Sequence, residues 1–169
     1  MVIAGFDIPT LVAMLMVAST PILFAAIGEL VVERSGVLNL GVEGMMICGA
    51  VCGFAVTIHT ENPVLGMLGA ALGGALLAAL FAVLVLFLLS NQVATGLALT
   101  LFGLGLSALI GQGYSSMRPV STPKLDLGPL SDLPVLGPMF FRHDIWVYGS
   151  LLLTFAVWWW LTRTRQRSM

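Results

Sequence analysis

Apolar residues run along this chain in five long blocks separated by short polar interruptions. The blocks extend from Ile8 to Ile27, Asn39 to Ile58, Pro63 to Leu89, Val93 to Gln112 and Asp144 to Leu161. Each approaches the roughly 20 apolar residues that carry a helix across hydrocarbon. The third is long enough to tilt, and the apolar part of the fifth is short. Pro9 suits the first turn of the first block, and Pro21, in its interior, predicts a kink. Small residues recur four apart at Gly49 and Gly53, Gly69 and Gly73, Gly74 and Ala78, and Ala75 and Ala79. That spacing lets helices approach closely in a membrane. The pattern predicts an all-α, polytopic integral membrane protein of about five transmembrane helices, with one broken or re-entrant segment near residues 36–44.

Composition strengthens this reading. Hydrophobic residues are 59% of the 169 and charged residues 9%, against about 25% charged in a soluble domain. From Asn62 to Met117 there is no Asp, Glu, Lys or Arg, and no soluble interior of this size could hide such a run. Seven basic residues against eight acidic leave a net charge of -1, which excludes the electrostatic footprint of a nucleic-acid binder. The N-terminus, whose first charge is Asp7, lacks the basic region of a cleavable signal peptide. Cys48 and Cys52, four apart in an apolar stretch, read as packing residues, with a disulfide or metal role as the alternative.

Arg163, Arg165 and Arg167 follow the fifth block and place that end in the cytoplasm by the positive-inside rule. Five crossings then put the N-terminus outside, residues 28–36 and 90–92 inside, and residues 59–62 and 113–143 outside. The long outer loop carries as many basic residues (Arg118, Lys124 and Arg142), so Arg34 breaks the tie. That loop, residues 113–143, is rich in proline, with Pro119, Pro123, Pro129, Pro134 and Pro138 preventing a regular helix. Its apolar stretch from Leu133 to Phe141 suits either a docking surface for an external partner or a cover over the helix ends. Trp146 and Tyr148 near one end of the fifth block, and Trp158, Trp159 and Trp160 near the other, match the aromatic belts of the two interfaces. Ligand stacking is the alternative role for the tryptophans.

The most informative interruption is Gly28–Gly44, which reads GELVVERSGVLNLGVEG. On any helix Asn39 and Glu43 share a face, and Gly36, Gly41 and Gly44 permit a break or a close backbone approach. A broken helix can present backbone N–H and C=O groups to a polar solute without stranding them in lipid. An ionised Glu43 facing lipid would be costly. Three roles fit: a polar network holding the break, a wall of a solute path, or an interfacial position without special function. Glu29, Glu33 and Arg34 read as inner-surface residues. The second interruption, Ser90–Thr95 (SNQVAT), is either an ordinary inner turn or a source of polar groups, Asn91, Gln92 and Thr95, for a passage. No charge lies beside it, which favours an uncharged or weakly charged solute.

No enzyme site emerges. His59 and His143 fall at span ends without an arranged nucleophile, and the chain has no GxxxxGK[ST] stretch, so ATP binding through a P-loop belongs to a separate subunit. No cofactor is expected.

The stretch Thr20–Ala50, above all GELVVERSGVLNLGVEGMM, resembles the start of permease subunits of bacterial ABC importers for nucleosides and simple sugars. These sit in the wider group with the ribose and branched-chain amino acid permeases. The likeness continues through NQVATGLALTLFGLGLSALIG (Asn91–Gly111), LSDLPVLGPMFF (Leu130–Phe141) and the TRTR step, Thr162–Arg165. It implies a solute-path subunit without catalysis of its own, in a bacterial plasma membrane. Its implied partners are a cytoplasmic ATP-binding subunit, a second permease subunit and an extracytoplasmic solute-binding protein. Asn39, Glu43, Asn91 and Gln92 fall in the polar stretches characteristic of such permeases.

After TRTR these permeases continue with a basic, RAVGENP-like coupling segment and further spans, whereas this sequence reads QRSM. The expectation is therefore an N-terminal half, residues 1–169 being part of a larger permease domain that a C-terminal half would complete. Two other readings are a non-transporting remnant or assembly partner, and a secondary active transporter using Glu43 as its one membrane acid.

Overall fold

The computed structural model describes residues 2–3, 6–118 and 143–165. Five helices dominate: α1 (Ile8–Arg34), α2 (Val42–Thr60), α3 (Pro63–Ala82), α4 (Gln92–Gly111) and α5 (Ile145–Arg165). All five are long and apolar enough to cross a membrane. A small antiparallel pair, β1 (Val2–Ile3) with β2 (Phe6–Asp7), precedes them. Most of the Pro-rich stretch, including Leu130–Phe141, and the final Arg167 lie outside the described residues.

The chain forms two compact units, residues 1–28 with 122–169 and residues 29–121. In the first, α1 continues through Pro21, and the hydroxyls of Ser19 and Thr20 donate to the Met16 carbonyl at 3.0 and 2.9 Å. Along α5 the hydroxyls of Ser150 and Thr154 donate to carbonyls one turn back, each at 2.7 Å. The side chains of Trp158, Trp159 and Trp160 are exposed, and the Arg163 guanidinium lies 4.5 Å from the centre of the Trp159 ring, a cation–π contact.

The second unit holds the candidate residues. Sequence polarity suggested that the first helix ends near Ile27, but α1 runs on to Arg34, because Glu29, Glu33 and Arg34 are good helix formers that tolerate a water interface. It ends in a Schellman motif. The Val37 N–H donates to the Val32 carbonyl at 3.4 Å and the Gly36 N–H to that of Glu33 at 3.0 Å. Gly36 takes φ +85°, which a side chain would strain. Residues 35–41 are non-helical, and α2 begins at Val42.

Both later helices in this unit start at asparagine caps. Asn62 Oδ1 accepts from Val64 and Leu65 N–H, with Pro63 in the first turn, and Asn91 Oδ1 accepts from Ala94 N–H. The third block does not stay α-helical. Its last turn, Val83–Phe87, widens to a π-helix, followed by Leu89 at φ 51°.

Helix α2 packs on α3 through the small residues picked out by spacing. A Cβ on Gly49 would stand 2.9 Å from the Ala70 carbonyl oxygen, one on Gly53 2.8 Å from that of Gly66, and one on Gly73 2.7 Å from Cys52 Sγ. Cys48 is buried beside Met45, Leu77, Phe81, Val85 and Leu99, forming the core of this unit; both cysteines are free thiols.

Candidate functional site at the helix break

Asn39 is a buried residue of the break, only 7% exposed. Its side chain closes a short turn, Oδ1 accepting from the Gly41 N–H at 2.9 Å, while Nδ2 points to Met45 Sδ at 3.6 Å. Because the helix cap is Gly41, Asn39 precedes the helix, and the face it was expected to share with Glu43 does not form. Glu43 lies exposed in the first turn of α2, where a negative charge complements the helix dipole.

Two candidate stretches meet across this break. Gln92, in the first turn of α4, accepts the Leu38 N–H on Oε1 at 2.8 Å. Two residues not singled out by sequence join them: Glu29 Oε1 accepts the Asn39 N–H at 3.1 Å, and Thr100 Oγ1 donates to the Leu40 carbonyl at 3.0 Å. Nothing local signals either partner, since Glu29 looks like a surface acid and Thr100 like one hydroxyl in an apolar span.

The backbones also touch. A Cβ on Gly96 would stand 2.8 Å from the Leu40 nitrogen, and one on Gly44 2.6 Å from the Leu99 carbonyl oxygen. Gly41 faces Gly96 in turn, its Cβ position 3.3 Å from the Gly96 carbonyl oxygen.

Thr95 and Asn91 sit slightly apart. The Thr95 and Ser90 hydroxyls are 2.8 Å apart, and Ser90 also donates to the Leu84 carbonyl at 2.8 Å. They line an open cleft of about 450 Å³ together with Asn91, Leu99 and Phe102. A further feature lies at the other end of α2. There His59 Nε2 lies 3.0 Å from the Tyr114 hydroxyl, and the Phe54 and Tyr114 rings meet edge-on at 6.2 Å. Among the described residues no group of His, Cys, Asp and Glu is arranged to hold a metal.

The family model for the permease component of branched-chain amino acid transport systems matches residues 11–166. This chain belongs to that permease family. Three curated relatives resemble this chain. The "Putative glucose ABC transporter permease protein TsgC13" of Haloferax volcanii is 45% identical over 87% of this chain and 46% of its own length. The guanosine ABC transporter permease protein NupQ of Bacillus subtilis is 32% identical over 88% of this chain and 50% of its own. The nucleoside ABC transporter permease protein NupC of Lactococcus lactis is 30% identical over 92% and 52%. The chain thus spans about half the length of the curated relatives it matches. No solved structure matches it. The permease family and the five apolar helices agree with the multi-pass membrane protein that the sequence implied.

Proposed function

We propose that this chain forms part of the membrane-spanning permease of an ATP-driven importer for nucleosides or related simple sugars. The observation that carries this reading is its similarity, along nearly its whole length, to permeases named for glucose, guanosine and nucleosides. Those solutes are polar and uncharged, which suits a segment free of charged residues from Asn62 to Met117. Residues 1–169 serve as the N-terminal part of the permease domain, in a bacterial plasma membrane, and residues 113–143 as its outer loop. A cytoplasmic ATP-binding subunit supplies the energy, an extracytoplasmic binding protein delivers the solute, and a second permease subunit or C-terminal half completes the path. Of the polar candidate residues, Glu43, Asn91 and Thr95 lie outside the bonds that hold residues 38–41. Asn91 caps α4, and Glu43 and Thr95, the latter with Ser90 beside it, are the groups we assign to the solute.

The test is uptake into proteoliposomes. The full-length permease carrying this segment is reconstituted with its ATP-binding subunit and binding protein, and labelled guanosine and glucose are offered with and without ATP. ATP-dependent accumulation of either is expected. If neither a nucleoside nor a sugar accumulates, the reading fails.

A further inference from the structure

Each of the four consecutive residues from Leu38 to Gly41 has a backbone polar group taken by a side chain. The N–H of Leu38 is held by Gln92, the N–H of Asn39 by Glu29, the carbonyl of Leu40 by Thr100 and the N–H of Gly41 by Asn39. Glu29 comes from the last turns of α1, and Gln92 and Thr100 from α4, about two turns apart. Beside these bonds, Gly41 meets Gly96 and Gly44 meets Gly103 with backbone against backbone, too close for a side chain and hence for a solute. At the opposite end, His59 of α2 meets Tyr114, just beyond α4.

Separating α2 and its break from α4 would strand the Leu38 N–H, the Leu40 carbonyl and the His59–Tyr114 pair at once. The Glu29 and Asn39 bonds, made by α1 and by the break itself, would persist. Each backbone group left unpaired away from water costs more than the net worth of its bond. A transport cycle that opened here would meet that cost at every turnover.

We infer that Gln92 and Thr100 are positioning residues that lock the helix break and α2 onto α4, with Glu29 and Asn39 holding the shape of the break, as one permanently closed unit, so that solute does not pass between α2 and α4. The functional half of this inference rests on the transport reading proposed above. It separates the candidate residues into two groups: Asn39, Gly41, Gly44 and Gln92 build the lock, while Glu43, Asn91 and Thr95 remain outside it.

Two measurements on the full-length permease complex test the inference. In the first, Cys48→Ala and Cys52→Ala clear the native thiols, and Val51→Cys with Gly111→Cys places a pair across the seam. A Cβ on Gly111 stands 3.7 Å from a Val51 methyl, so oxidation should join the pair. ATP-driven uptake is expected to be the same oxidised and reduced. Loss of uptake on oxidation, restored by reductant, would overturn the inference, and so would a pair that cannot be joined. Should the reduced, cysteine-cleared complex and the unaltered one move no solute, the transport reading falls instead, and the second measurement still judges the lock.

In the second, hydrogen exchange in lipid nanodiscs is read at Leu38 and Asn39. Gln92→Ala is expected to speed exchange at Leu38, and Glu29→Ala at Asn39, each about tenfold, the worth of one hydrogen bond. Gln92→Glu and Glu29→Gln keep an acceptor oxygen and should restore slow exchange. Alanine variants that exchange no faster than the unaltered protein would refute the lock.

Discussion

Gly103 of α4 and Gly44 of α2 meet with no side chain between them: a Cβ built on Gly103 would stand 2.6 Å from the Gly44 carbonyl oxygen. Its neighbour Gly105 has nothing within 4 Å of the same position. These two glycines, in one helix, therefore answer differently to the same change. Gly103→Ala forces backbone apart and should cost about 1–3 kcal/mol, whereas Gly105→Ala should be neutral or mildly stabilising through higher helix propensity. Thermal unfolding of the two variants in detergent checks the contrast, and equal midpoints would contradict the close seam.

Gly36 offers a second backbone test. With φ at +85° and open space around it, Gly36→Ala meets no neighbour but suffers the left-handed conformation. A loss of about 1 kcal/mol is expected, with Gly36→Asn milder than Gly36→Ala. Guest residues at Gly28, which is also uncrowded but lies within α1, serve as the comparison.

Much of this architecture was legible in the pattern of apolar blocks. The centres of all five helices, the first-turn Pro9 and Pro63, and the α2–α3 glycines follow from local spacing. The end of α1 does not, because Glu29, Glu33 and Arg34 look like a connection, although a helix reaching water need not stop at its first charge. The site was half legible. Its polar residues stood out, but their relationships did not: Asn39 pairs with Glu29 ten positions away and Leu38 with Gln92 fifty-four away, separations that no periodicity encodes. Helical spacing even suggested a false pair, Asn39 with Glu43, since the cap at Gly41 falls between them. Gly96 and Gly103 went unpaired for the same reason, their partners lying on another helix.

Asparagine caps make a third prediction. Asn62 and Asn91 each satisfy a first-turn N–H of the helix that follows. Asn62→Ala and Asn91→Ala should each destabilise by about 1 kcal/mol, and Asn→Asp or Asn→Ser should recover most of it. Chemical denaturation in mixed micelles reads the difference, and an alanine variant as stable as the parent would remove the cap from the account.

At the far end of α2, Tyr114→Phe deletes the hydroxyl that lies 3.0 Å from His59 while keeping the ring set edge-on to Phe54. The expected loss is about 0.5–1.5 kcal/mol. A double-mutant cycle with His59→Phe should show that the two losses are not additive. Strict additivity would mean that the two side chains do not interact.

The connection between α2 and α3 consists of Glu61 and Asn62 alone, while α4 is synthesised only after the whole of α3. Biogenesis is therefore ordered: the α2–α3 hairpin can close as soon as both helices have left the ribosome, its contacts being local. Until α4 arrives, Gly44 and the break before it lie uncovered beside the insertion machinery, and a nascent chain stalled after Ala82 would offer that bare backbone groove to lipid or to a chaperone.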